Sequence, residues 1–344
     1  FLLISHIVAA RYRCRMDQTI GGTTSSMVFY RASLSLLVIT HILCDATSQV
    51  RMGPGGSTAR IVNPKEYPYV VEIAAVSTGP FPPTLLTGVL LSRSVVLTAG
   101  HGFLGEKGEA ISKFARVRFR GTTNYNMLKV NSTGPIHGKL IHPPRNKPFY
   151  GELVDFALFS LSQPLPVCDA NNTLRSDGAP RKLSVIKLPV ADVKSEKWET
   201  RETDNRQLKD CVFLGYGEAD QGPANGQLHL QDHIQVHSIN NRIFIPLNLT
   251  TMLGRACPGD SGAPLICRDE NGDERIYGIL SNSETSIPGQ RKNCFSDKTT
   301  FMLDILTDIR YILPFIRSSL LDMGKLDELI EDYEKCGYQS DQRI

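Results

Sequence analysis

The 344-residue chain is long enough for one large domain or two closely packed ones. It is 41% hydrophobic and 21% charged, with a formal net charge of +3. That balance is ordinary for a globular protein and gives no reason to expect nucleic acid or an anionic membrane as a partner.

Residues 1–26 form an upstream extension to which no role is assigned. From Met27 the chain reads Met-Val-Phe-Tyr-Arg, then an apolar run from Ala32 to Leu43, then small residues around Ala46. This is the pattern of a secretory signal over 27–48, and the run of about 12 residues is too short to span a bilayer. If the leader takes Cys44 and everything before it, six cysteines remain: Cys168, Cys211, Cys257, Cys267, Cys294 and Cys336. An even count in an exported chain argues for disulfides, and no CxxC spacing suggests zinc. Asn-x-Ser/Thr triplets at Asn131, Asn171 and Asn248 suit passage through a secretory pathway.

Residues 49–60 are small and polar and read as an exposed linker ending at Arg60. A basic residue in such a linker, just before Ile61-Val62, is a natural processing point. Tyr69 to Val76 reads as a strand, and Leu86 to Leu97 as two strands meeting at a tight turn. Thr98-Ala99-Gly100-His101-Gly102 follows, a histidine ringed by small residues that allow close approach. Further strands are expected at Phe114–Phe119, Met127–Val130 and Leu140–Pro143. Leu153 to Leu161 then places one carboxylate, Asp155, inside an apolar strand, where it needs hydrogen bonds. Residues 168–210 read as an inter-domain connection around an apolar island, Leu183–Val190. Strand signals resume at Cys211–Gly217.

His229, His233 and His237 are spaced by four, as metal ligands on a helix would be. The alternation of Leu228, Leu230, Ile234 and Val236 instead places them on the polar face of one strand. Ile276–Ser281 and Phe301–Ile305 are further strands. Ile309, Ile312, Leu313, Ile316 and Leu320 mark a helical face, with Pro314 inside it. A charged tail with one short helical pattern follows.

The chemistry concentrates in Cys257-Pro258-Gly259-Asp260-Ser261-Gly262-Ala263-Pro264. A surface turn would use the same residues. A nucleophile would use them for cause: the glycines let the backbone turn tightly and lift the Ser261 hydroxyl clear of its neighbours. The N–H groups of Gly259 and Ser261 can cradle an oxyanion. Asp260 needs a cation to stay charged if buried, and an α-amino group at Ile61, freed by cleavage after Arg60, could supply it.

Taken together, these motifs resemble the trypsin/chymotrypsin-like serine proteases. Thr98-Ala99-Gly100-His101, Asp155-Phe156-Ala157-Leu158 and Gly259-Asp260-Ser261-Gly262-Ala263-Pro264 stand in that family's order, with Gly215-Tyr216-Gly217 similar to its Gly-Trp-Gly. The likeness runs over 61–318. It implies an all-β fold of two packed antiparallel six-stranded β-barrels, about 61–185 and 205–305, with a C-terminal helix and an extension at 319–344. It implies a Ser261–His101–Asp155 triad, an oxyanion hole at Gly259 and Ser261, and Ser281 supporting Asp155. It implies no cofactor or metal. The protein would be a secreted, monomeric endopeptidase activated after Arg60 by another protease, acting on proteins or peptides and open to protein inhibitors.

By position the resemblance pairs Cys211 with Cys267 and Cys257 with Cys294, leaving Cys168 with Cys336. Leu86 and Gly102 stand where the family carries a further bridge. Arg255, Ser283 and Thr300 fall at the primary specificity pocket; a guanidinium at 255 would repel basic substrate side chains and could pair with acidic ones, or else turn to solvent and leave a shallow apolar pocket. A non-catalytic homologue acting as a binding protein is the alternative from a different class, and an intact triad argues against it. An α/β-hydrolase esterase lacks its Gly-x-Ser-x-Gly elbow.

Overall fold

The computed structural model describes residues 59–77, 82–105, 109–119, 128–142, 153–168, 183–200, 208–218, 226–239, 241–248, 256–269, 272–285 and 301–337. The expected leader at 27–48 and most of the 49–60 linker lie outside them, as do Asn171, Arg255, Cys294 and Thr300.

Six antiparallel strands close into a barrel in the order β2-β3-β4-β7-β6-β5. They are β2 (Val70–Ser77), β3 (Thr84–Ser92), β4 (Val95–Thr98), β5 (Ser112–Phe119), β6 (Leu128–Ile141) and β7 (Val154–Leu161). Val and Leu dominate β3 and β4, and Arg93-Ser94 turns the chain between them. β6 is one strand of 14 residues rather than two. Its register slips between Thr133 and His137, around Gly134 at φ +74°. β7 is buried along nearly its whole length. One of its faces looks into the barrel, and its outer side meets the C-terminal helix and the second sheet.

The second half does not form the expected barrel. It is an open eight-stranded antiparallel sheet in the order β1-β9-β8-β12-β13-β14-β11-β10. Its strands are β1 (Ala59–Val62), β8 (Val212–Gly215), β9 (Leu228–Gln231), β10 (His237–Ile239), β11 (Arg242–Asn248), β12 (Pro264–Arg268), β13 (Glu274–Thr285) and β14 (Phe301–Asp308). A strand has two edges, and both edges of β9 are taken, one by β8 and the other by β1. β10 therefore pairs with β11 alone, and the sheet ends at β1 and β10. The expected single strand through 228–237 is broken by the same event. Residues 232–236 leave the ladder, with His233 at φ +52°. Ala59 and Arg60, read from sequence as linker, are strand residues in register with Gln231 and Leu230.

Two helices close the described chain, the apolar-faced one and the short one of the charged tail: α1 (Ile309–Asp322) and α2 (Leu326–Lys335). Asp308 caps α1 by accepting the Arg310 N–H at 3.0 Å. α1 buries the Ile309, Ile312, Leu313, Ile316 and Leu320 stripe and carries Pro314 without ending. α2 docks on the β3–β4 turn. Glu328 accepts from both the Ser92 and Ser94 hydroxyls at 2.6 Å, and Asp332 accepts the Arg93 N–H at 2.5 Å. Tyr333 bridges the connecting segment, accepting from Leu188 N–H and donating to the Ile186 carbonyl, both at 2.9 Å. A Cys168–Cys336 disulfide ties the end of α2 to that segment, and Cys211–Cys267 joins β12 to the start of β8. Cys257 is also disulfide-bonded.

Candidate active site

His101 sits in a 3₁₀ turn, Gly100–Gly102, that follows β4. The turn can lie against β7 only because residue 100 lacks a side chain, since a Cβ there would stand 2.8 Å from the Phe156 carbonyl oxygen. A Cβ on Gly102 would stand 2.4 Å from Leu86 Cδ1, so an apolar contact occupies the place of the missing bridge. Asp155 is the second residue of β7 and is fully buried. Ser261 lies in the turn between β11 and β12, held by hydrogen bonds from Asp260 N–H to Cys257 O (2.9 Å) and Ala263 N–H to Asp260 O (2.7 Å). Gly259 and Gly262 take φ of +98° and +81°, a backbone region that side chains rarely adopt.

Three side chains from distant parts of the chain meet in one line. His101 Nδ1 is 2.8 Å from Asp155 Oδ2, and His101 Nε2 is 2.9 Å from Ser261 Oγ. Asp155 accepts two more bonds, from the His101 N–H at 2.9 Å and the Ser281 hydroxyl at 2.5 Å. Burial pushes the Asp155 pKa up, but the hydrogen bond and charge of His101, the Ser281 hydroxyl and the His101 N–H outweigh it. The carboxyl is held below its ordinary value and stays ionised. Neither the Gly259 nor the Ser261 N–H donates to a backbone carbonyl among the described residues.

Asp260 is buried beside this line. It accepts from Gly217 N–H at 2.7 Å and Cys257 N–H at 2.8 Å. Gly215 and Gly217 make room for it, since a Cβ on either would fall within 2.4 Å of a carboxylate oxygen. No Lys, Arg or His forms an ion pair with it among the described residues, and Ile61 remains in β1 opposite His229. Burial therefore dominates and raises its pKa to about 7, against the two backbone hydrogen bonds and with the help of repulsion from Asp304. The fold thus favours protonated Asp260. Its contribution to stability is full below the unfolded value near 4 and is lost as pH rises through about 7. A shift of about 3 units is worth up to about 4 kcal/mol. Unfolding of the uncut chain at pH 4 and pH 8 should show this loss relative to Asp260→Asn, whose amide cannot ionise; parallel curves for the two proteins would contradict it.

Other sequence-predicted positions fall as follows. Arg60 is exposed, with Nε 3.8 Å from Asp232 Oδ2. Ser283 donates to Asp304 Oδ1 at 2.6 Å across β13 and β14. Asn131 is exposed on β6 and Asn248 ends β11. The three histidines do not share a strand, and no group of three or more His, Cys, Asp or Glu poised for a metal occurs among the described residues. No described helix is long and apolar enough to cross a membrane. Three residues escaped the sequence reading. Thr307 exchanges hydrogen bonds with the Asp155 backbone at 3.2 and 3.3 Å. Asp304 is fully buried near Asp260, and Thr87 is fully buried against the Ser261 turn. Asp304 carried a legible signal, a lone carboxylate in the apolar run Phe301–Thr307, the same signal that singled out Asp155.

The family described as Trypsin matches residues 57–302. Chymotrypsin-C of Rattus norvegicus is 25% identical over 275 residues, covering 74% of this chain and 90% of its own length.

Proposed function

Since this chain belongs to the trypsin family of serine proteases, we propose that it is a serine endopeptidase working through Ser261, His101 and Asp155. The observation that carries the reading is the hydrogen-bonded line Asp155–His101–Ser261, 2.8 and 2.9 Å across its two links. Ser261 Oγ attacks the scissile carbonyl while His101 Nε2 takes its proton. The oxyanion is received by the Gly259 and Ser261 N–H groups, and His101 then protonates the leaving amine. Asp155 holds the proton on Nδ1 and stabilises the imidazolium. Water repeats the sequence on the acyl-enzyme. The chain is exported, with the 27–48 segment as its leader, and acts extracellularly as a monomer without a cofactor.

Activation follows cleavage after Arg60, which is exposed at a sheet edge. Ile61, His229 and Gly215 are register partners on three adjacent strands, so Ile61 starts two strand spacings, about 10 Å, from the Asp260 pocket. Release of about three residues of β1 spans that distance. The new ammonium would then meet a carboxyl that has no cationic partner among the described residues of the uncut chain. At the specificity pocket, Arg255 disfavours basic P1 residues and admits acidic ones.

The test is labelling by a fluorophosphonate before and after trypsin nicking, followed by digestion of a P1-varied peptide library. Label on the nicked wild-type protein and none on Ser261→Ala is expected. No label on protein shown to be cut at Arg60 would favour a non-catalytic binding homologue. Strong preference for Arg or Lys at P1 would remove the role given to Arg255.

A further inference from the structure

We propose that Thr87 is a positioning residue, a clamp by which the barrel holds the oxyanion loop of the opposite sheet in its working shape. The inference rests on the protease reading of Ser261 and adds a residue that the triad does not include. Thr87 lies on β3, fully buried, one residue beyond Leu86 and its contact with Gly102. Its hydroxyl donates to the Gly259 carbonyl at 3.0 Å and accepts the Tyr216 N–H at 3.0 Å. Its backbone N–H donates to the Ser261 carbonyl at 2.9 Å. One barrel residue therefore grips both residues that supply the oxyanion N–H groups, and also the segment whose next residue, Gly217, holds Asp260. Thr87 is itself fixed from behind, because the Thr98 hydroxyl donates to its carbonyl at 2.6 Å.

The physical need for such a clamp follows from the loop. Gly259 leaves its N–H unobstructed because it has no side chain, and for the same reason it rotates more freely than any other residue. A rotation at Gly259 would turn an oxyanion donor away from the cleft. Tying its carbonyl to a buried hydroxyl removes that freedom, and tying the Ser261 carbonyl fixes the other end of the two-residue segment. The hydroxyl spends its one proton on Gly259 and accepts from Tyr216, so it is matched to two groups of the opposite sheet at once. Valine has the same shape as threonine but supplies neither bond. Serine supplies both and lacks only the methyl group.

The decisive comparison uses Thr87→Val, Thr87→Ser and, as a control, Ser92→Ala, which deletes another buried hydroxyl of β3 whose partner is Glu328 rather than the Ser261 turn. In Thr87→Val, kcat should fall about 10- to 100-fold, less than the roughly 10²–10³-fold of deleting an oxyanion donor outright, with KM changed less than about threefold. Affinity for a peptide aldehyde, which forms a tetrahedral adduct, should fall in proportion to kcat, while affinity for the corresponding peptide amide should not. Thr87→Ser should retain kcat to within about threefold, and Ser92→Ala should lose thermal stability without losing kcat. Hydrogen exchange should quicken at the Tyr216 amide and across 259–261 in Thr87→Val alone.

Wild-type kcat in Thr87→Val, or an equal loss of kcat in the Ser92→Ala control, overturns the clamp. If Thr87→Val does not fold, Thr87→Ser decides: any loss of Tyr216 protection must come with a matching loss of kcat, and unchanged kcat with lost protection overturns the proposal. If the nicked wild-type protein proves inert, the protease reading fails separately. The exchange comparison still judges the clamp, and equal protection in wild type and Thr87→Val would end it.

Discussion

Ser261→Ala is expected to lower kcat about 10⁶-fold and abolish fluorophosphonate labelling, while leaving the folded structure in place. Among the described residues the Ser261 hydroxyl makes one hydrogen bond, with His101 Nε2, and Ser261 is partly exposed. Its loss leaves no buried group without a partner, so stability should stay within about 0.5 kcal/mol of the wild type. Kinetics on a peptide ester, thermal unfolding and binding of a non-covalent peptide ligand separate these effects. Residual turnover within tenfold of the wild type would show that the reaction runs through another group.

The second large effect is expected from Asp155→Asn, about 10⁴-fold in kcat with little change in KM. Asp155 is surrounded by donors alone: the His101 backbone N–H, His101 Nδ1–H and the Ser281 hydroxyl. A carboxylate accepts from all three, whereas an amide has one acceptor oxygen and must turn its NH₂ toward one of them. Where that NH₂ faces Nδ1, the imidazole proton moves to Nε2, the atom that must receive the proton of Ser261. The His101 ring-proton resonances of the variant should report the changed tautomer, and the rate should fall with it. A rate within a few-fold of the wild type would mean that Asp155 serves the fold rather than the reaction.

These two residues differ in how they could be found. Ser261 announces itself through its neighbours, because a serine between glycines in Gly259-Asp260-Ser261-Gly262 has few other uses. Asp155 was legible through cost, a charge inside an apolar strand that must be compensated. Asp304 carries the same mark and was passed over, since nothing in the sequence pairs it with Ser283. Thr87 carries no mark. A lone threonine in a strand is ordinary, and its three bonds, two to the Ser261 turn and one from Tyr216, join residues more than 100 positions apart.

The strands and their order along the chain were largely readable, because an apolar run or an apolar alternation declares which residues must leave water. The architecture of the second half was not. Closure of a sheet depends on which strand edges remain free, and that is a property of partners. β1, whose first two residues read as linker, takes the edge of β9 that a barrel would have needed, and residues 232–236 then leave the ladder. The same holds for Asp260. Its need for a partner follows from its own chemistry, whereas its two backbone donors and the absence of a described cation beside it are set by where Gly217, Cys257 and Ile61 fall in space. Local sequence thus determined the chemical groups and the elements that carry them. Tertiary structure decided which edges, cavities and donors those groups would share, because each such pairing consumes a partner that no single segment can reserve for itself.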